Sequence, residues 1–564
     1  MLRHFEPPLN HRESTPVQAP GVGQPAQAAR STLLLSLFAA ATAVGLSWHF
    51  FTQPLRPWPD QGWVLQAAVR HARGEGLTHQ MADVGTDVAV ISYDRLVYFP
   101  PLYPLLISGL LQLGLSVDGA VKLVNAVVLV AGVFGWMWLA GRFLPALSLR
   151  LLFAGLLVTA GTTYGSAMVP KGGTTDYSFW AALPYWIGLV LAARKTADAR
   201  HRAFALGAAS ALTGVLIGIR WACAVLIPAG GLSLLLPDGR RGLVRRGLAA
   251  VAYGLPAVAV YWIYGAFNRA YSHTGSNLLD FITPKWEFHR LAVLHPWESL
   301  LTIPLALEPL LQRAWRALEP GTASTGAGAL VRLGIPLLLV AGLAWAWWRG
   351  PYRPADCARD LRRVVLVLSG TLVLFLAYLS VRYSWGEDID WTYLAEQRYF
   401  RPVWPAVALF WLTLVPDLAH MPRVRVAVLV VLAAGVVYLA QAHVRTERRL
   451  LTTADESWQL VERVRALEAE PGLQVVFDMD ISDYFAAATP NLIARHYPEP
   501  TTVLRLVASR PAQLWLVRRV LLDHGSDARL FETLATRFHA RKVWTSSQGE
   551  FELYHAAASP ATAE

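Results

Sequence analysis

Charge is scarce in this sequence. Only 16 % of its 564 residues are Asp, Glu, Lys or Arg, where a soluble domain carries about 25 %. Cysteine is scarcer still: Cys223 and Cys357 are the only two, so no disulfide framework exists. Lysine occurs only at 122, 171, 195, 285 and 542, and arginine supplies the rest of the positive charge. That dominance reads as codon bias, which gives little weight to an arginine at any one position. There is no metal-ligand spacing, P-loop, dinucleotide fingerprint or nucleophile elbow. No Asn-x-Ser/Thr sequon occurs, and no internal repeat of the kind that builds many transporters.

What fills the chain is apolar. Hydrophobic residues make up 54 % of it and mean hydropathy is +0.36, with several runs near the ~20 residues that cross a bilayer. The net charge of +11 does not point to nucleic acid, because the basic residues lie in short clusters between apolar runs rather than along one face. Arg142/Arg150, Arg194/Lys195/Arg200/Arg202, Arg240/Arg241/Arg245/Arg246, Arg349 to Arg363 and Arg423/Arg425 are spaced as cytoplasmic loops under the positive-inside rule.

The topology turns on residues 99–143. If "FPPLYPLLISGLLQLGL" (99–115) lies at the interface and only 120–143 crosses, every basic cluster falls on one side. Pro100, Pro101 and Pro104 also suit a surface segment better than a helix interior. The expected fold is therefore mainly α: a polytopic transmembrane helical bundle of about eleven spans. The spans are 31–51, 120–143, 149–166, 175–193, 203–219, 222–236, 247–266, 328–348, 364–382, 399–416 and 424–443. The first run is too long, and too poorly followed by a cleavage site, to be a removable signal peptide. Residues 1–30 are a disordered cytoplasmic tail, 31–444 the transmembrane domain with a first outer loop at 52–119, and 445–564 a small periplasmic α/β domain. In that last part "GLQVVFDMD", "QLWLVRR" and "GEFELYH" read as strands, and 455–470 and 528–540 as helical pieces.

Candidate chemistry lies where acids and bases sit relative to the spans. Asp60 follows the first span in "RPWPDQGWVLQAAVRHARGEGL", ahead of an amphipathic surface helix. Asp60 reads either as the cap of that helix or as a working carboxylate. Asp176 heads a later span, Arg220 sits in a turn between two apolar runs, and Arg398 opens "RYFRPVWP". The acidic loop "SWGEDIDW" reads as solvated, and His273, His289 and His295 have no metal-ligand spacing.

The order of acid-bearing first loop, Pro-Pro-Leu-Tyr (100–103), and Arg-Tyr-x-x-Pro-x-x-Pro (Arg398 to Pro405) resembles the GT-C family of polytopic glycosyltransferases. That group holds protein O-mannosyltransferases, lipid A aminoarabinose transferases and many bacterial envelope sugar transferases. The resemblance spans about 50–443 and implies transfer of a sugar from a polyprenyl-phosphate donor to an envelope lipid, glycan or protein. It assigns Asp60 to catalysis and makes Asp176 a second acid candidate. Two departures matter. Gln61 follows Asp60 where relatives often carry a second acid, so a divalent metal is possible but not supported. Tyr98 and Phe99 precede the prolines where relatives carry His or Lys, so another cation must meet the donor phosphate. Arg220, Arg398, Arg401, Lys171 and Lys285 are the candidates, with Arg95 beside them, and Tyr98, Tyr103 and Glu396 are candidate sugar or acceptor contacts. Short loops and the missing sequons fit a bacterial inner membrane, with the N-terminus cytoplasmic and the site periplasmic. A flippase for lipid-linked saccharides predicts charges within the spans, which are nearly free of them. A lipid-linked polymerase or ligase does not predict the early acid.

Overall fold

A computed structural model of the protein describes residues 24–52, 59–80, 93–96, 99–159, 174–237, 242–271, 356–382, 402–416, 469–477, 492–495, 512–520 and 526–556, with scattered positions between 422 and 467. Helices occupy each expected crossing that falls in these ranges. They are α1 (Gln24–Thr52), α4 (Val117–Phe143), α5 (Leu147–Thr159), α6 (Thr174–Lys195), α7 (Ala199–Ile219), α8 (Leu226–Leu235), α9 (Leu243–Tyr271), α10 (Asp356–Arg382) and α11 (Trp404–Leu414). Four helical stretches among the described residues are long and apolar enough to cross a membrane: Arg30–Trp48, Val117–Phe143, Ala199–Ile219 and Leu243–Ala266. The expected span 328–348 lies outside the described residues, as does all but a scatter of 424–443.

Between α1 and α4 the chain builds a compact module from α2 (Pro59–Ala72), β1 (Thr78–Gln80), β2 (Tyr93–Arg95) and α3 (Leu102–Gln112). At eleven residues, α3 is about 16 Å long, roughly half a bilayer core. The module has its own core, in which Val64 and Leu65 of α2 and Ile107 of α3 meet Val121 and Val124 of α4. Gly74 and Gly76 take φ of +82°, a conformation open to glycine, and turn the chain from α2 into β1. Arg70 fastens that turn, donating to Thr78 Oγ1 at 2.7 Å and pairing with Glu75 at 2.9 Å.

In the bundle, glycines let helices approach closely, as small residues do in membranes. A Cβ on Gly132 of α4 would lie 2.0 Å from the Trp180 ring of α6, and one on Gly188 of α6 would lie 2.5 Å from Trp138 of α4. Trp136 Nε1 donates to the Trp180 carbonyl at 3.1 Å. Deeper in, Tyr253 of α9 gathers Thr213 of α7 at 2.9 Å, Trp186 of α6 at 3.1 Å and the Leu226 carbonyl of α8 at 2.7 Å. The hydroxyls of Tyr253 and Thr213 and the indole of Trp186 are thus paired with one another, as an apolar surrounding demands.

One end of the bundle collects the arginines, and they do more than repel lipid tails. Arg150 Nε donates to the Leu144 carbonyl that closes α4, at 2.8 Å, and its NH1 reaches Thr32 of α1 at 3.1 Å. Arg362 of α10 holds Thr413 near the end of α11 through the hydroxyl, at 3.0 Å, and the carbonyl. Whatever the codon usage, the guanidinium at these positions satisfies helix-end carbonyls that have no partner within their own helix.

The C-terminal part forms a five-stranded sheet in the order β4 (Leu492–Arg495), β3 (Leu473–Phe477), β5 (Ala512–Arg519), β7 (Phe551–Ala556), β6 (Arg541–Thr545). β3 runs parallel to β4 and β5, and the β5–β7 and β6–β7 pairs are antiparallel. Alternation in β5 sends Leu514 and Leu516 toward α12 (Ser526–Arg537), and Trp515 and Val517 toward the helical segment that carries Leu460, Val461 and Val464. That segment also carries Glu456, 1 % exposed. Its carboxylate accepts from the Ser546 and Ser547 hydroxyls and from the amides of Gln548, at 2.8 Å, and Glu550, at 3.3 Å. The β6–β7 turn is thereby tied to the helix.

Candidate active site

The end of the bundle opposite the arginines collects the start of α6 and the end of α7, with the first-loop module packed beside them. This follows from the chain's alternation. α4 leaves the module and carries Arg142 in its last turn, α6 carries Arg194 in its last turn, and α7 begins just after Asp198 and returns.

Arg220 closes α7. Its backbone is extended, at φ −153° and ψ 124°, and a 3-10 turn over Trp221–Val225 follows. The break turns the side chain away from the helix axis, so that NH1 donates to Thr175 Oγ1 of α6 at 3.2 Å. Thr175 immediately precedes Asp176, the third residue of α6. The bond therefore ties the end of α7 to the first turn of α6 through residues 45 apart in sequence.

Two positions earlier, Gly218 marks where three elements converge. A Cβ there would lie 2.3 Å from Leu102 Cδ1 of α3 and 2.7 Å from the Tyr264 hydroxyl of α9. Leu102 belongs to the Pro-Pro-Leu-Tyr stretch, so that stretch abuts the end of α7 that carries Arg220. Ile219 packs against the first-loop core from the same place. On the far side, Trp221 meets Tyr261 and Tyr264 edge-on, with centroids 5.8 and 5.4 Å apart and both rings at 88°. A half-buried aromatic cluster thus joins the 3-10 turn after Arg220 to α9.

Asp60 is the second residue of α2. The next turn of the same helix carries Trp63, which stacks on buried His79 of β1 at 5.4 Å and 20° and meets Phe99 edge-on at 6.4 Å. This aromatic stack fixes the start of α2 against the segment that leads into the two prolines. Arg95 ends β2 and is exposed, paired in register with Thr78. Tyr103 departs from expectation: at 2 % exposure it lies in the first-loop core, so it packs α3 and offers no open face to a sugar. Lys171, Lys285, Tyr98, Glu396, Arg398 and Arg401 lie outside the described residues, although α11 begins three positions after Arg401. Among the described residues no three His, Cys, Asp or Glu side chains gather as metal ligands would. Thr175, Gly218 and the Trp63–His79 stack are new relative to the sequence reading. Only the placing of Gly218 two residues before a lone arginine hinted at any of them.

No protein-family model and no curated protein matches the sequence. Solved structures do. ArnT from Cupriavidus metallidurans, solved bound to undecaprenyl phosphate, aligns over 93 % of this chain and 98 % of its own at 14 % identity, with a TM-score of 0.51. The fold is the GT-C fold. The Archaeoglobus fulgidus oligosaccharyltransferase, solved tethered to an acceptor peptide containing the NVT sequon, aligns over 94 % of this chain and 74 % of its own at 12 % identity, with a TM-score of 0.50. Nearly all of the chain takes part in both alignments.

Proposed function

We propose that this protein is a membrane glycosyltransferase that takes a hexose or pentose from a polyprenyl-phosphate donor and places it on an envelope lipid, glycan or protein. The observation that carries the reading is the convergence at one bundle end of Arg220 with Thr175, beside Asp176, against the Pro-Pro-Leu-Tyr stretch of the loop that holds Asp60. A cation held by a hydroxyl suits a lipid phosphate, since charge-assisted hydrogen bonds to phosphate are among the strong ones. The shared fold with ArnT, solved with undecaprenyl phosphate in place, supports the same donor class.

The chemistry is a displacement. The acceptor hydroxyl oxygen bonds to the anomeric carbon as the bond from that carbon to the phosphate oxygen breaks. Asp60 takes the hydroxyl proton, and the departing phosphate keeps the electron pair and meets Arg220, with Arg398, Arg401, Lys171 and Lys285 as further cations. Asp176 is the second acid. The arginine-rich end lies in the cytoplasm under the positive-inside rule, which puts Asp60 and residues 445–564 on the periplasmic side of a bacterial inner membrane. The C-terminal sheet positions the acceptor.

Two substitutions test the assignment. Asp60→Asn removes basicity but keeps shape, so transfer should fall by about 10²- to 10⁴-fold while donor still binds. Asn caps a helix about as well as Asp, so near-normal transfer by this variant would reduce Asp60 to a cap. Arg220→Ala should weaken binding of a polyprenyl-phosphate sugar; unchanged affinity would remove Arg220 from the donor site.

A further inference from the structure

An arginine gives up more rotamer freedom on meeting a ligand than most side chains, so what holds Arg220 beforehand matters. Its backbone is fixed from both directions. The Arg220 amide donates to the Leu216 carbonyl at 2.8 Å, and its own carbonyl accepts from the Cys223 amide at 3.1 Å. Ile217 and Gly218 before it are buried in the bundle, and Trp221 after it is wedged against Tyr261 and Tyr264. The freedom that remains lies in the side chain.

Thr175 acts on that freedom from another helix. It is the second residue of α6 and half-buried, as Arg220 is. Its Oγ1 accepts from NH1 at 3.2 Å. The first turns of α6 are themselves firmly seated, because Tyr177, Phe179 and Trp180 are buried in the bundle core and the Trp180 ring fills the space over Gly132 of α4. A guanidinium is planar, with its donors in a rigid fork. Tying NH1 to a seated hydroxyl therefore orients the whole plane. The end of α7 does not depend on this bond, since its backbone partners lie within the chain segment 216–223.

We propose that Thr175 is a positioning residue for the donor phosphate: its hydroxyl holds the Arg220 guanidinium in the orientation that receives the phosphate. The ordering of Arg220 is then completed on folding rather than on binding, which is how preorganisation raises affinity. The inference rests on the reading of Arg220 as a donor cation, and it adds a residue that acts on the donor only through that cation.

The test is a double-mutant cycle on the purified full-length protein in detergent, with undecaprenyl phosphate titrated calorimetrically. Thr175→Val keeps the shape and removes the acceptor, so affinity should fall about 3- to 10-fold, the cost of ordering one long side chain. Thr175→Ser keeps the hydroxyl and should restore binding close to wild type. Arg220→Ala alone should cost about 10- to 100-fold, the range for a charged hydrogen bond. Adding Thr175→Val to Arg220→Ala should cost nothing more, because residues that act as one unit are not additive. Thr175→Ala, which has no branched methyl to misplace, repeats the cycle independently of any packing fault in the valine variant. If Thr175→Val binds as wild type while Arg220→Ala does not, the positioning role is overturned and the donor reading stands. If Thr175→Val costs the same with and without Arg220, Thr175 acts by another route and the proposal is likewise overturned. Unchanged affinity in Arg220→Ala would remove the donor reading itself, and this inference with it.

Discussion

Replacing Gly218 by alanine adds one methyl group where three elements meet, and the cost follows from the geometry. The new Cβ would sit 2.3 Å from Leu102 Cδ1, 2.7 Å from its Cγ and 2.7 Å from the Tyr264 hydroxyl, all well inside van der Waals contact. Leu102 is half-buried and can swing aside, but Tyr264 is packed edge-on against Trp221 and must move with it. Overpacking of this kind costs about 1–3 kcal/mol. Gly207, on the same helix, is the control: a Cβ there meets nothing within 4 Å. Gly207→Ala should stabilise by up to about 1 kcal/mol through helix propensity alone. The gap between the two variants therefore isolates the overpacking term. Thermal or denaturant unfolding in detergent measures the gap, and sugar transfer measures its consequence. Gly218→Ala should lose activity because Leu102 and Tyr264 are pushed away from Arg220, whereas Gly207→Ala should keep it. If Gly218→Ala is as stable and as active as Gly207→Ala, then α3, α7 and α9 do not converge as described, and the site built around Arg220 loses its frame.

Other expectations concern the remaining polar contacts. Burial pushes the Glu456 carboxyl up, but the Ser546 and Ser547 hydroxyls and the Gln548 and Glu550 amides outweigh it and hold the group below its ordinary 4.5. A depressed acid stabilises the fold fully above that value and loses the contribution as pH falls through the folded-state value. Amide exchange at residues 546–556 of the intact protein should therefore accelerate as pH drops below 4.5 after correction for intrinsic rates. Glu456→Gln should raise exchange at neutral pH and flatten that dependence; an unchanged profile would detach Glu456 from the turn. At the other end of the chain, Arg150→Lys keeps the charge but cannot reach both the Leu144 carbonyl and Thr32. A loss of about 1–3 kcal/mol is expected, measured by unfolding in detergent, and a neutral result would mean that only the charge matters there.

Much of the architecture was legible because apolar periodicity and charge are local signals. The runs 203–219 and 513–519 lie within a few residues of α7 and β5, since each carries its own pattern whatever it packs against. Pro100, Pro101 and Pro104 announced a surface segment, and α3 is too short to cross. Strands β4 and β6 went unread. "LIAR" is only four residues long, and "RKVWT" is an edge strand with a register shift between Lys542 and Trp544 that blurs alternation. At the proposed site, Asp60 and Arg220 stood out in the sequence by type and position. Thr175 did not, because a threonine at a helix start is common and its partner lies 45 residues away. Tyr103 misled for the opposite reason: an aromatic beside two prolines looks like a ligand contact, and packing decided otherwise. Treating the arginines as a matter of codon usage hid their work as caps on neighbouring helices.

The break at Arg220 also shortens the chain's return journey. Helix α7 has 21 residues, about 31 Å of rise, whereas the 3-10 turn and α8 together cover about 25 Å. A typical hydrocarbon core is about 30 Å thick. Both ends of the short leg are anchored, by Arg220 with Thr175 at one and by Arg194, Arg246 and Arg363 at the other. Tilt would only shorten its reach across the membrane, so the bilayer must dimple beside it or Arg220 must lie about 5 Å beneath the headgroup plane. A dimple there would bend the leaflet toward the cation. The protein should consequently prefer thin membranes, and lengthening the acyl chains of the host lipid should strain this leg before any other.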